Sequence, residues 1–275
     1  MRSGLALAAI LSTFPGIAAG GEPRPPAVEV RLGFETFRVA LGSLGEWTEV
    51  APYGRVWRPH GVPAGWRPYW NGTWLYTDEG WFFASEEPWA WATYHYGRWY
   101  LDPVFEWVWV PGYSWAPAWV AWRLGSGVVG WAPLYPGFTS WWTRLYPVHD
   151  EDWAFAPLSR FAGAPIAASA YPAERIPGLV RRTRATPPQV DASPPLGGPT
   201  REAVERALGR PLVPLRLEPA PSPDAARGAP QDGVVPVFRP RAPPAVQGRL
   251  PDTPRLHPPP RARPAPLPEA PAGGP

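Results

Sequence analysis

The sequence predicts a mainly β protein. The expected architecture is an antiparallel meander of Trp-rich hairpin repeats forming a small barrel or sandwich, with one or two short helices and a disordered Pro-rich carboxy-terminal tail. Three observations point there. First, all 18 Trp fall between Trp47 and Trp153. Second, they recur in register: Trp66, Tyr69, Gly72, Trp74, Trp81 and Trp89, then Trp91, Tyr94, Gly97, Trp99, Trp107 and Trp115. This is a period of about 25 residues, the mark of supersecondary units that bury a face only against their neighbours. A shortened copy follows at Trp119, Trp122, Gly125 and Trp131, and a degenerate one precedes at Trp47, Tyr53, Gly54 and Trp57. Third, aromatic pairs two residues apart (Trp81 and Phe83, Trp89 and Trp91, Trp107 and Trp109) put rings on one face of a strand.

The elements follow in chain order. Residues 1–20 carry Arg2, an apolar run from Leu5 to Phe14 and small residues at Ala18, Ala19 and Gly20, the pattern of a cleaved secretory signal. Pro15 and Gly16 interrupt a run already too short to span a bilayer. Residues 21–46 hold a Pro-rich spacer, a strand in which Val28, Val30 and Leu32 alternate with polar residues, and a short helix. That helix is expected to start at Thr36, carry Phe37, Leu41 and Leu44 at helical spacing, and stop at Gly45. Residues 47–136 form the repeat domain, strand-like throughout, with turns at Asn71-Gly72, Asp78-Glu79-Gly80, Pro111-Gly112 and Gly125-Ser126-Gly127. Asn-Gly is the strongest hairpin signal among them, because both residues tolerate positive φ. Residues 137–217 add an apolar segment at Trp153, Phe155 and Phe161, a helix capped by Thr200 and stopped by Gly209 and Pro211, and an edge strand at Leu212 to Leu217. Residues 218–275 are the tail, in which Pro dominates and Val234, Val235, Val237 and Phe238 form the one apolar patch able to dock back on the core.

Composition narrows the function classes. The chain has no Cys, hence neither disulfides nor a lipid-attachment thiol, and no Lys, so every basic residue besides His is Arg. A formal net charge of +3, with acidic residues interspersed, does not point to nucleic acid. After signal removal no segment reaches transmembrane length.

The motifs YGRVWRP (Tyr53 to Pro59), WRPYWNGTW (Trp66 to Trp74), HYGRW (His95 to Trp99), WVWVPG (Trp107 to Gly112), WAPAWVAWR (Trp115 to Arg123) and GWAPL (Gly130 to Leu134) carry a resemblance. Together with Phe37 to Trp47 they resemble an exported, Trp-rich, proline-tailed bacterial family built on a domain of unknown function, some of whose members are described as FecR-like. The resemblance covers Phe37 to Pro136 and extends to the helix and strand around Gly198 to Leu217. It implies a periplasmic or secreted envelope protein without an assigned activity. Phe83 departs from the pattern, standing where a second Trp is expected.

Exposed Trp faces edged by polar groups are the usual construction of a glycan site. The candidate rings are Trp81, Trp107, Trp109 and Trp115, with His95, Arg98 and Arg123 as polar partners. The argument for exposure is that 18 Trp exceed what one small core can hide. No cofactor is expected. His60, His95 and His149 lack metal-ligand spacing, and the run His149-Asp150-Glu151-Asp152 reads as a solvated turn. Three functions remain. The leading one is a noncatalytic module binding peptidoglycan or another envelope glycan. The second is a scaffold whose repeats and Pro-rich tail engage other envelope proteins, gripping peptides as small barrel domains do. The third is a cell-wall hydrolase using two of Glu86, Glu87, Asp102 and Glu106, since glycoside cleavage needs a carboxyl pair across a cleft.

Overall fold

The computed structural model describes residues 32–136, 149–186 and 197–240. The signal segment, the strand expected at Val28 and Val30, and residues 241–275 of the tail lie outside these. Helix α1 (Phe34–Leu41) leads into strands β1 (Gly45–Val50), β2 (Gly54–Pro59), β3 (Thr73–Thr77) and β4 (Gly80–Ala84). A one-turn helix α2 (Ala90–Thr93) precedes β5 (Arg98–Asp102), β6 (Glu106–Val110), β7 (Val120–Gly125), β8 (Val128–Pro133) and β9 (Ala154–Pro157). Helix α3 (Ile176–Arg182), β10 (Arg184–Thr186), helix α4 (Arg201–Leu208), β11 (Arg216–Pro219) and β12 (Val234–Val237) complete the order.

The strands form two four-stranded antiparallel sheets, β1-β2-β6-β5 and β10-β7-β8-β9, a β3-β4 hairpin, and a parallel pair β11-β12. No barrel closes among the described residues, and the arrangement is not a simple meander, because β2 joins β6 through the Trp57 and Trp109 pairing while β3-β4 stands apart. One aromatic core unites the parts. Trp74 of the hairpin touches Trp122 and Trp131 of the second sheet at centroid distances of 4.7 and 5.9 Å, and Phe161 at 5.8 Å. Trp57 and Trp99 of the first sheet belong to the same cluster.

The sequence repeat has a physical meaning that its aromatics alone do not reveal. A Cβ on Gly45 would lie 2.1 Å from the Arg58 carbonyl oxygen and 2.5 Å from the Trp57 ring. One on Gly72 would lie 2.3 Å from the Ala84 carbonyl oxygen and 2.6 Å from the Phe83 ring, and one on Gly97 would meet the Val110 carbonyl oxygen at 2.3 Å and Trp109 at 2.7 Å. These three hairpins therefore each begin with a glycine roofed by an aromatic from the closing strand, an aromatic cover over a strand glycine. Phe83 fills the Trp slot, and Gly45, rather than Gly54, is the first copy's glycine.

Several local expectations change. Thr36 does not open α1; its hydroxyl accepts from the Gly33 amide one turn earlier at 3.2 Å, and Gly45 starts a strand. Asn71-Gly72 is not a hairpin turn but the approach to β3; Asp78-Glu79 turns that hairpin, and Gly125-Ser126-Gly127 lies at the β7-β8 turn as expected. Trp89 and Trp91 flank and enter α2 instead of sharing a strand face. Asp152 is fully buried, accepting from the His149 amide at 3.0 Å and the Tyr135 hydroxyl at 2.6 Å, so the acidic run is not wholly solvated. Thr200 caps α4 as expected, accepting from the Ala203 amide at 3.2 Å. Within residues 218–240 of the expected tail, β12 pairs with β11, and Val235, Val237 and Phe238 are buried.

Candidate functional site

Glu87 sits in the loop between β4 and α2, where local bonds fix it. Its amide donates to the Ser85 hydroxyl at 3.2 Å, Ser85 donates to the Asn71 carbonyl at 2.7 Å, and the Glu87 carbonyl accepts from the Ala90 amide at 2.9 Å to start α2. Its carboxyl group accepts from Trp66 Nε1 at 2.7 Å and from the Tyr94 hydroxyl. Burial raises its pKa above the ordinary 4.5 in spite of these donors, and burial together with the Glu87 charge raises that of Tyr94.

His95 follows α2 with 4 % of its surface exposed. Its ring lies between Phe82, at a centroid distance of 4.5 Å and 15° from parallel, and Trp115, at 5.7 Å and 20°. Nδ1 stands 3.2 Å from the Ala116 carbonyl oxygen, which makes it the protonated nitrogen of a neutral ring. Burial pushes the pKa down to about 4, and the nearby Arg239 charge acts in the same direction. The Arg239 guanidinium lies 3.3 Å from the Trp115 ring centroid and bonds Glu79 at 2.8 Å. Phe82, His95, Trp115 and Arg239 thus form one continuous stack that starts in β4 and ends in the carboxy-terminal segment.

Beside this stack is a small, partly open cleft. Phe82, Ser85, Glu87, Trp91, His95 and Trp115 line one wall, and Arg227, Val235, Val237 and Phe238 the other. Phe238 meets Trp91 edge to face at 5.1 Å. A buried carboxyl, a buried imidazole and several aromatic faces therefore converge at the seam between the Trp-rich body and the segment after Ala226.

Of the expected site residues, only His95 and Trp115 meet there. Trp81, Trp107 and Trp109 are 5, 8 and 0 % exposed and belong to the core, which removes the expected ring platform. Trp81 donates to the Pro199 carbonyl at 2.8 Å and Trp109 to the Tyr96 carbonyl at 2.8 Å. Arg98 is buried face-on against Trp119 at 3.4 Å, and burial lowers its pKa without neutralising it at physiological pH. Arg123 caps the end of α3 through the Val180 and Thr183 carbonyls at 2.8 and 2.7 Å. None of the 16 Trp in the described residues is exposed, because the segments around 154–168 and 198–238 add walls to a core that the repeat alone could not complete.

The carboxyl pair of the hydrolase reading does not assemble. Asp102 accepts from the Val104 and Phe105 amides at 2.8 and 2.9 Å within its turn, Glu86 and Glu106 are exposed, and Glu87 alone of the four lines the cleft. Ser85, Glu87 and His95 share that wall, but Ser85 is engaged with backbone groups. The residues that sequence reasoning missed are Phe82, Glu79 and Arg239. Their only signal was the Val-Val-Pro-Val-Phe-Arg run, an apolar patch ending in a cation inside the Pro-rich region.

Residues 38–138 match the family model DUF6600, a family of unknown function. The match runs from within α1 to just past β8, so it includes every body-side residue of the seam and excludes the segment docked on it. No curated protein and no solved structure matches the chain.

Proposed function

We propose that this chain is an exported, noncatalytic envelope protein acting as a scaffold, its Trp-rich body engaging another polypeptide. The observation that carries this reading is the seam, where the body holds an extended, Pro-containing stretch of chain by an edge-to-face aromatic contact, a cation–π contact and one ion pair. A noncatalytic role is supported by the engagement of the candidate acid and base groups: Glu87 with Trp66 and Tyr94, Asp102 with its turn amides, His95 as a neutral member of a stack. Export is supported by the amino-terminal sequence pattern.

One observation favours glycan recognition as a second reading. Trp66 and Trp70 remain half-buried on either side of Arg67, whose guanidinium lies 5.7 Å from the Trp70 centroid, leaving aromatic surface beside a cation.

The test places a photo-crosslinking residue at Ser85, on the cleft wall, or at exposed Val39 as control, in the full chain expressed in its host, alongside sedimentation with purified peptidoglycan. A discrete polypeptide adduct from position 85 and none from 39 is the expected result. Saturable cosedimentation without that adduct would overturn the scaffold reading in favour of the glycan.

A further inference from the structure

The stretch from Val234 to Arg239 rests on the body through its side chains. It is extended, with Val235, Val237 and Phe238 buried, while Val234 and Pro236 are half-exposed. Val235 and Val237 enter a groove floored by Phe82 and walled by Leu75, Ala84 and Trp115. Phe238 meets Trp91, and Arg239 closes the row over Trp115 and against Glu79. Successive positions thus supply two aliphatic anchors, an aromatic and a cation to a groove that offers apolar floor, aromatic edge and carboxylate in matching order.

The backbone pairing of this stretch points away from the body. Its ladder partner is β11, through the Arg216 and Ala220 amides donating to the Gly233 and Val237 carbonyls at 2.9 and 2.8 Å. β11 is what hangs on the hairpin, through the Leu215 amide to the Tyr76 carbonyl at 3.0 Å and the Asp78 amide to the Leu215 carbonyl at 2.9 Å. Side-chain contacts hold the stretch in the groove, and a largely exposed link across residues 227–233 leads into it. A small cleft, lined by both the body and the stretch, remains along this seam. Phe82, Leu75, Ala84 and Trp115 lie within 38–138, the part that matches the family, whereas the occupant and the adjoining Leu215 and Leu217 do not.

We propose that this groove is a peptide-docking site, and that the chain's own Val234–Arg239 holds it in place of an extended segment of another polypeptide. That segment carries two aliphatic residues at alternate positions, an aromatic after the second and then arginine, with proline tolerated between the aliphatics. Proline suits the site because the groove side asks for no backbone amide there, and a pre-extended ligand loses little entropy on binding. The intramolecular occupant acts as a competitor at high effective concentration, so a partner engages fully once it is displaced. This inference rests on the scaffold reading and names its partner class.

The probe is a fluorescent peptide of residues 233–240, titrated into the full chain and into a full-length Phe238→Ser, Arg239→Ala variant, whose substitutions lie on the occupant and leave the groove untouched. Binding to the variant at least about tenfold tighter than to the parent is expected, weakened about tenfold or more when the peptide's own arginine is replaced by alanine or Glu79→Gln is added. Hydrogen exchange on the unsubstituted chain provides a second readout: saturating peptide should speed exchange at Val234, Val235 and Val237 without changing β5 or β6. Equal affinity for parent and variant, or no binding to a folded variant, overturns the proposal. Dimer formation by the variant without peptide binding also overturns it, in favour of exchange between copies. Either failure leaves the Ser85 crosslinking result standing, which separates the loss of this groove from the loss of the scaffold reading.

Discussion

The Trp-rich body and the docked carboxy-terminal segment use the same residue types to opposite ends. In the body's core one aromatic can answer to several others: Trp74 contacts Tyr69, Phe83, Trp122, Trp131 and Phe161. The indole donors of Trp57, Trp99, Trp109 and Trp131 all reach backbone carbonyls between 2.8 and 3.1 Å. Tyr69 joins this lattice through both ends, its hydroxyl bonding the Tyr94 carbonyl and the Trp119 amide while its own carbonyl accepts from Trp131. The docked segment has one aromatic, one cation–π contact and one ion pair to the body. Removal of any body member leaves a buried donor or a void, whereas the segment can leave as a unit. An aromatic-rich sequence therefore does not by itself announce a binding face; the informative rings are those whose partners come from a separable stretch of chain.

The strongest way to break this contrast is to disturb the device that repeats through the body. Gly97 holds φ at +61°, with no room for a Cβ beside the Val110 carbonyl and Trp109. Gly97→Ala should cost about 3 kcal/mol or more, combining left-handed strain with overpacking against groups that cannot yield. Urea unfolding measures it. A loss below about 1 kcal/mol would show that the glycine and its aromatic roof are incidental to the hairpin.

The second expected effect is a pH dependence located at the seam. His95 holds its proton more weakly folded, with a pKa of about 4, than unfolded, near 6.5. Below 6.5 the unfolded chain takes up the extra proton, so stability falls as pH drops from 6.5 towards 4, by about 3 kcal/mol in total. Glu87 works in the other direction. Its folded pKa is raised, so its contribution is complete below the ordinary 4.5 and is lost as pH climbs through the raised value. His95→Phe preserves ring stacking and should flatten the acid limb of urea midpoints measured across this range, and Glu87→Gln should flatten the fall on the other side. An unchanged acid limb in His95→Phe would place the acid sensitivity elsewhere.

The hairpins were legible where turn chemistry is local: Asp78-Glu79-Gly80, Gly125-Ser126-Gly127, and the cap from Thr200. Asn71-Gly72 misled because the same dipeptide serves two needs, positive φ in a turn and space beside a ring, and here Gly72 supplies the space under Phe83. Trp89 and Trp91 misled because a spacing of two does not exclude one helical turn, and Pro88 followed by Ala90 and Ala92 allows α2. Among the described residues the expectation of exposed rings failed on enclosure. It treated residues after 136 as peripheral, yet Phe161 packs on Trp81 at 4.7 Å and the Pro199 carbonyl receives the Trp81 donor. The site itself was half legible. His95 and Trp115 stood out, whereas Glu79 and Arg239 are 160 residues apart and no local pattern joins them.

The smallest expected change in overall stability sharpens the contrast most. Arg239→Ala removes the ion pair to Glu79 and the contact with Trp115, both on side chains that keep some solvent access. Together these contribute about 1 kcal/mol. If body and segment are separate units of stability, that loss falls on local opening alone. Exchange at Val234, Val235 and Val237 should then rise about fivefold to tenfold, while amides of β5 and β6 and the melting temperature stay where they are. The same substitution removes a cation whose field adds to burial in disfavouring the charged imidazole of His95, so the ring should bind its proton slightly more readily, shifting the acid limb to higher pH. Acceleration spread evenly over β5, β6 and the segment would mean that the two open together, and that the stack running from Phe82 to Arg239 belongs to the body's own cooperative core.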